Sequence, residues 1–406
     1  MKKALIITYY YPPDMGDLRT KTFAKYLQKF GWKPIILTIR NHDPYASKID
    51  PSLIEKNMKQ SKIYRSFSLP LAIFAKGLER MGINHKWFIM PDQFIGWLPH
   101  SIRLGKRIIK ENDINVIYAS APPYTSILIA TILKQITGLP LIIDFRDPWT
   151  SNPFIKYPTR IHSNLEKMAE AWALRKANTI ITVGEECKKS ISESFPFIAN
   201  DKITIIYNGY DPEDFLKIKP WRFDRFTILH CGSIYGLRNE QLKIFLNGCE
   251  KMKRDRILPD KFQIIFVGLL ARDVKRMIKE TQISEHIQHW GLKPHKEVIR
   301  YMLGADMQLL IPGASSAVTS KLFEYLATKK FILNIGSQNG GAAQIIKEAN
   351  AGITIEPNLF YKGNSKKYSF ITDRQMFRTK NEVISKFSRK EITEKLANIF
   401  SQVSEQ

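Results

Sequence analysis

Lys321 and Glu324 stand three residues apart in the stretch VTSKLFEYLAT, Val318 to Thr328. Leu322, Tyr325 and Leu326 fall on one face at helical spacing, which places the Lys–Glu pair on a second face of a short predicted helix. A lysine in a helix's first turn is opposed by the dipole unless an anion sits there. A carboxylate is acceptor-only and can take two hydroxyl protons, as a ribose offers them. The competing reading is a solvated i,i+3 ion pair worth roughly 0.2–0.5 kcal/mol. Just upstream, Ser315, Ser316, Thr319 and Ser320 supply hydroxyls and helix caps.

Other loops carry comparable chemistry. In CGSIYGLRN, Gly232 and Gly236 permit close backbone approach, and Arg238 can grip a diphosphate bidentately or simply lie solvated. GLKPH, with Lys293 and Pro294, can present backbone groups to a base. In the first half, Gly16 in YPPDMGD lets the chain turn tightly into a helix whose amino terminus suits a phosphate. DFRDPW sets Asp144, Arg146 and Asp147 at the end of a very apolar strand. Three charges there must pair with one another or face a ligand such as a sugar.

Alternating strands and helices must position these loops. KALIITYY, KPIILTI, INVIYAS, LPLIIDF and NTIITV read as strands of the first half. FTILHCG, KFQIIFVG, HIQHWG, ADMQLLIP, KFILNIG and AGITIE read as strands of the second. Helical patterns lie between them, including one over residues 160–176, and Gly31 ends another. Apolar strands alternating with helices predict parallel sheets covered on both faces. YNGYDPEDF, rich in turn residues, marks a joint near residue 212. The expected architecture is α/β, two Rossmann-like doubly wound domains facing across a cleft, with the ligand outside the carboxyl ends of the strands. The domains expected are 1–212, completed by the carboxyl-terminal helix 388–406, and 213–387.

Two stretches break the alternation. Leu71 to Lys110 carries seven Lys/Arg against Glu79 and Asp92, with Trp87, Phe88, Phe94 and Trp97 among them. Basic plus aromatic composition suits a membrane interface; a helical excursion over the first domain's edge would read the same way. Tyr361 to Lys390 carries nine Lys/Arg against Asp373 and Glu382 and reads as a mobile, solvated connection.

The net charge of +24 implies an anionic partner, whether nucleic acid, anionic lipid or a phosphorylated substrate, unless it merely reflects a Lys-rich genome. Cys187, Cys231 and Cys249 are far apart, match no metal spacing, and read as reduced core thiols of a cytosolic protein. MKKALIITYYYPP is too short an apolar run for a signal peptide, and no run spans a bilayer.

TYYYPPDMGDLRTKTFAKYLQKFGW, PDQFIGWLP, ASAPPYTS, LPLIIDFRDPW, NTIITVGEE, YNGYDPEDF, SKLFEYLAT and FSRKEITEKLA together resemble family-four-like glycosyltransferases of the GT-B fold, in particular bacterial surface-polysaccharide enzymes of the O-antigen and capsule type. The resemblance covers almost the whole chain in order. It implies retaining transfer of a sugar from a nucleotide sugar to a lipid-linked or polysaccharide acceptor, with no metal and no other cofactor. The enzyme would work peripherally at the inner face of the plasma membrane. The matching positions assign Glu324 to the nucleotide ribose, Lys321 and Arg238 to the diphosphate, Gly16 to donor approach, and the 291–295 loop to the base. The chain departs from the family pattern at Ser316, where the first glutamate of the E-x7-E signature belongs, and around Arg146, where a histidine is usual. Two other function classes share these features. A nucleotide-sugar epimerase of the same fold would need no membrane-facing segment. A non-catalytic anion binder, for instance of nucleic acid, would show salt-dependent binding to random DNA; the sequence holds no nucleic-acid motif.

Overall fold

The computed structural model describes residues 1–14, 17–40, 61–152, 154–313, 318–357, 359, 371, 374 and 377–405. Two compact units emerge: Met1–Tyr207 with Arg389–Gln406, and Asn208–Ser388.

The first unit is built on β1 (Lys2–Ile7), β2 (Trp32–Ile39), β3 (Lys62–Ser66), β4 (Val116–Ala121), β5 (Leu141–Phe145), β6 (Thr179–Thr182) and β7 (Ile203–Ile205). All pair in parallel, in the order β3-β2-β1-β4-β5-β6-β7. Every residue of β4 and β5 is buried, the pattern of strands covered on both faces. The order reverses between β1 and β4, so the loops leaving these strands diverge and open a crevice there.

The helix Arg389–Ser404 belongs to this unit. Ile392, Leu396, Phe400 and Val403 recur at helical spacing and share a core with Ile6, Phe23, Trp32 and Tyr118. Phe400 meets the Trp32 ring edge-on at 5.2 Å, and Arg389 Nη1 donates to Thr22 Oγ1 at 3.0 Å.

The second unit repeats the plan with β8 (Phe226–Cys231), β9 (Phe262–Val267), β10 (Ile287–Gly291), β11 (Met307–Leu310), β12 (Phe331–Ile335) and β13 (Gly352–Ile355). Its parallel order is β10-β9-β8-β11-β12-β13, reversing between β8 and β11. This is the GT-B plan, two doubly wound domains. Helix ends follow the sequence: Gly31 and Gly138 close their helices in the left-handed conformation. The expected solvated connection at 361–390 falls partly outside the described residues; within it, Asn381–Ser385 forms a short helix, and Ile371, Val383, Ile384 and Phe387 are buried rather than solvated, apolar side chains packing against the unit. Cys187, Cys231 and Cys249 are buried and free.

Leu71–Lys110 holds two α-helices, as the reading of a helical excursion expects. Helix Leu71–Arg80 buries Ala72, Ala75 and Leu78, and helix Leu98–Asn112 buries Ser101, Gly105 and Ile108. The intervening Asp92 accepts from the backbone N–H and hydroxyl of Thr125, at 3.0 and 2.7 Å, and so caps the helix Thr125–Thr137 that follows β4.

Candidate functional site

The switch point of the second unit gathers most of the donor-side candidates. The loop after β8 begins at Gly232, and the loop after β11 leads to the helix Ser320–Thr328. Gly268, after β9, lies so close that a Cβ there would fall 2.3 Å from the Gly232 carbonyl oxygen. Both glycines have positive φ, so this packing excludes side chains and exposes backbone. Gly313 faces Arg238: a Cβ would lie 3.1 Å from Arg238 Cγ. Arg238 opens the helix Arg238–Arg254, is half-buried, and donates from Nη1 to the Ser233 carbonyl at 3.1 Å.

Lys321 and Glu324 meet in the first turns of the helix Ser320–Thr328, with Lys321 Nζ 2.6 Å from Glu324 Oε2. Unlike a solvated pair, Glu324 is buried, its side chain 10% exposed. Its other oxygen lies 3.4 Å from His295 Nε2, and His295 Nδ1 is 3.9 Å from Asp214 Oδ2. Burial alone would raise the pKa of Glu324. The Lys321 ammonium and the His295 imidazole outweigh it and hold the carboxyl well below the usual carboxylate range. Glu324 is therefore an ionised acceptor in a dry setting. Thr319 occupies the helix N-cap, yet its hydroxyl makes no capping bond and is buried without a partner. Ser320 is exposed beside it, as are Lys293 and Pro294 at the start of the helix His295–Gly304.

Sequence reasoning did not single out two histidines of this region. His295 sits 29 residues from Glu324, in the GLKPH loop read only for its backbone. His230 lies in β8, buried, with Nδ1 2.9 Å from the Leu309 carbonyl of β11. A carbonyl only accepts, so Nδ1 carries the proton and Nε2 is an acceptor; it has no partner. Burial, with Arg238 and Lys321 nearby, pushes this imidazole down to about 4, against the opposing bond to Leu309. A neutral acceptor, an uncapped helix end and two cations thus converge at one switch point.

The first unit's switch point is organised differently. Asp144, fully buried at the end of β5, receives Arg19 Nε at 2.7 Å and Nη2 at 3.3 Å, together with the Tyr118 hydroxyl. Arg19 also donates to the carbonyls of Tyr207 and Ile206. Arg146 reaches Asp17 Oδ1 at 3.5 Å and donates to the carbonyls of Ala121 and Pro122. Asp17 itself caps the helix Leu18–Tyr26 through Thr20 N–H. Asp147 stands exposed; the protein packed around its carboxyl raises its pKa, with Arg146 opposing. Gly16 and Ser316 lie outside the described residues.

Two doubly wound parallel sheets, each reversing its strand order once, make up the GT-B fold. Residues 19–214 match Glycosyltransferase Family 4. No curated protein matches by sequence. Among solved structures, sucrose-phosphate synthase from Thermosynechococcus elongatus is similar at TM-score 0.70 and 14% identity, over 99% of both chains. A glycosyltransferase from Rickettsia africae gives 0.69 and 18%, over 99% of this chain and 98% of that one. HepE from Anabaena, in complex with UDP, gives 0.65 and 13%, over 99% of this chain and 100% of that one. At these identities the likeness is one of fold.

Proposed function

We propose that the protein transfers a sugar from a nucleoside diphosphate sugar, bound at the switch point between β8 and β11, to a lipid-linked or polysaccharide acceptor. The observation that carries this reading is the buried Glu324 held between Lys321 and His295 in the first turns of the helix Ser320–Thr328. Glu324 accepts the ribose hydroxyls. Lys321 turns to the diphosphate together with Arg238, whose fork suits it. Gly232 supplies close backbone approach, Ser316 and Ser320 supply hydroxyls, Lys293 and Pro294 border the base, and Gly16 is assigned to donor approach by the family resemblance alone. The likeness to HepE, whose structure contains UDP, supports a nucleoside diphosphate as the first probe.

The leaving diphosphate is stabilised by these cations and by a helix amino terminus, without a divalent metal. The transfer is retaining, in keeping with the family resemblance. On the acceptor side Arg146 and Asp147 face the sugar, while Asp144, engaged by Arg19 and Tyr118, positions them. The enzyme acts in surface-glycan synthesis at the cytoplasmic face of a membrane, which the cationic and aromatic segment Leu71–Lys110 contacts. Among the described residues no helix is long and apolar enough to cross a membrane.

Calorimetric titration with UDP and with uridine, followed by other nucleotides, tests the donor site. Binding of a diphosphate at Glu324 and Lys321 is expected. Unchanged affinity for every nucleoside diphosphate after Glu324→Ala and Lys321→Ala would return the pair to a structural role.

A further inference from the structure

The helix Arg160–Lys176 docks on the core near its carboxyl end through Ala171, Ala173 and Leu174, but earlier turns are arranged otherwise. Its buried face carries two carboxylates one turn apart, Glu166 and Glu170. Glu166 is ion-paired with the buried Lys86 and accepts from Trp149 Nε1 at 2.9 Å and Tyr157 Oη at 3.0 Å. Glu170 accepts from the Thr150 backbone N–H at 2.9 Å. These bonds fix the helix's rotation about its axis. The opposite face therefore points to solvent, and it carries Ile161, Leu165 and Met168, which are 70%, 49% and 68% exposed. Trp172 continues the same stripe, half-buried. A helix in contact only with water places its apolar residues the other way round.

The stripe is not isolated. The Trp87 ring meets His162 of this helix edge-on at 5.1 Å, and Asn84 Nδ2 donates to the Lys156 carbonyl at 2.9 Å. Through these contacts the stripe adjoins Trp87 and Phe88, and beyond them Ile73, Phe74 and Met81 at the helix Leu71–Arg80, all exposed. Phe154 adds a further exposed ring. Exposed apolar side chains grouped on neighbouring elements mark an interaction surface.

The bordering charge identifies the partner. Lys76, Arg80, Lys156, Arg160 and Lys167 are exposed around the apolar residues. Between residues 154 and 168 the sole acid is Glu166, which is buried. On the helix Leu71–Arg80 the exposed Glu79 is taken up by His85 at 2.7 Å. Apolar and aromatic side chains set among an excess of cations match the interfacial region of an anionic leaflet.

We propose that the outward face of Arg160–Lys176, joined to Ile73–Phe88, seats the first unit in the headgroup region of an anionic bilayer, with Ile161, Leu165 and Met168 as the apolar wedge. This rests on the reading of a membrane-linked acceptor and adds a second contact element to Leu71–Lys110. The occupant is the leaflet, and a second copy of the chain is the rival outcome.

The test uses the full chain with vesicles of phosphatidylethanolamine and phosphatidylglycerol, and with phosphatidylcholine vesicles. Wild type is expected to sediment with the anionic vesicles, less so at high salt. The variant Ile161→Ser with Leu165→Ser and Met168→Ser should bind them at least about ten-fold more weakly. Its melting temperature and UDP affinity should stay at the wild-type values. Arg160→Glu with Lys167→Glu should weaken binding to anionic vesicles alone. Equal vesicle binding by the serine variant, equal wild-type binding to both lipid compositions, or no binding at all would overturn the proposal. So would a wild-type dimer in sedimentation velocity that the serine variant dissolves. Loss of the donor reading shows instead as absent nucleotide binding with vesicle binding retained.

Discussion

The two switch points of this molecule share a topology and differ in what they do with charge. Between β1 and β4, Arg19, Asp144, Asp17 and Arg146 are paired with one another and with backbone carbonyls. Between β8 and β11, a cation occupies a helix's first turn, a threonine hydroxyl caps nothing, and a buried imidazole nitrogen accepts from no donor. Unmade hydrogen bonds of buried groups oppose folding. Each unit leaves some unmade, such as Ser120 and Ser126 on and after β4, but in the second the Thr319 hydroxyl and His230 Nε2 stand near the cations Lys321 and Arg238. The first unit uses its charges to hold its own loops; in the second, Lys321 and His295 hold the buried Glu324.

The largest effect that would break this contrast is on stability. Asp144→Ala strands Arg19 as a buried charge, and such losses amount to about 3–5 kcal/mol. A large fall in the urea midpoint is expected. A normal midpoint with abolished transfer would instead make Asp144 a catalytic residue, and the first switch point a ligand site like the second.

Glu170 tests the contrast from within the first unit. One of its oxygens is buried without a partner, and burial pushes the carboxyl up to about 7, against its bonds from Thr150. A free glutamate titrates near about 4.3. The folded state therefore binds this proton more tightly, so the group's contribution is fully present below about 4 and lost as pH rises towards 7. Glu170→Gln should gain roughly 2–3 kcal/mol relative to wild type between pH 5 and pH 8, read from urea melts at both pH values. A constant difference between the two proteins would show that Glu170 is ionised throughout.

Smaller effects are expected at the second switch point, and on binding instead of folding. Glu324→Ala should weaken UDP binding by about ten-fold or more, since two ribose hydroxyls lose a dry acceptor, while the ligand-free melting temperature barely moves. Lys321→Ala should weaken UDP far more than uridine. A fall in melting temperature comparable to that of Asp144→Ala would place the pair in the class of the first unit's network. The smallest expected effect is of chelation: with the leaving charge met by Arg238, Lys321 and a helix end, transfer should persist in EDTA. Loss restored by Mg²⁺ or Mn²⁺ would show that the cations do not suffice.

Much of the fold was legible because parallel strands buried on both faces read as unbroken apolar runs, and glycines mark where helices stop. Lys321 and Glu324 were legible for a local reason, a cation at the wrong end of a short helix. Their setting was not: His295 comes 29 residues earlier. The partner that fixes Asp144 is Arg19, 125 residues away, whereas the sequence suggested a network within DFRDPW. His230 looked like any strand residue until its ring nitrogens could be counted against donors. The outward stripe of Arg160–Lys176 was hidden for a different reason. Ile161, Leu165, Met168 and Trp172 have the period of a core-facing stripe, and only the partners of Glu166 and Glu170 reveal which way the helix faces.

The return of Arg389–Ser404 to the first unit has a consequence for the order of events during synthesis. Unit 2 is one continuous stretch, Asn208–Ser388, and its sheet can close as soon as that stretch has left the ribosome. Unit 1 begins first yet must wait, since Ile392, Leu396 and Phe400 complete its core with Phe23 and Tyr118. At about 5–20 residues per second the nascent amino-terminal sheet stays unfinished for roughly ten seconds or more, its apolar surface open to chaperones for as long as unit 2 is being made.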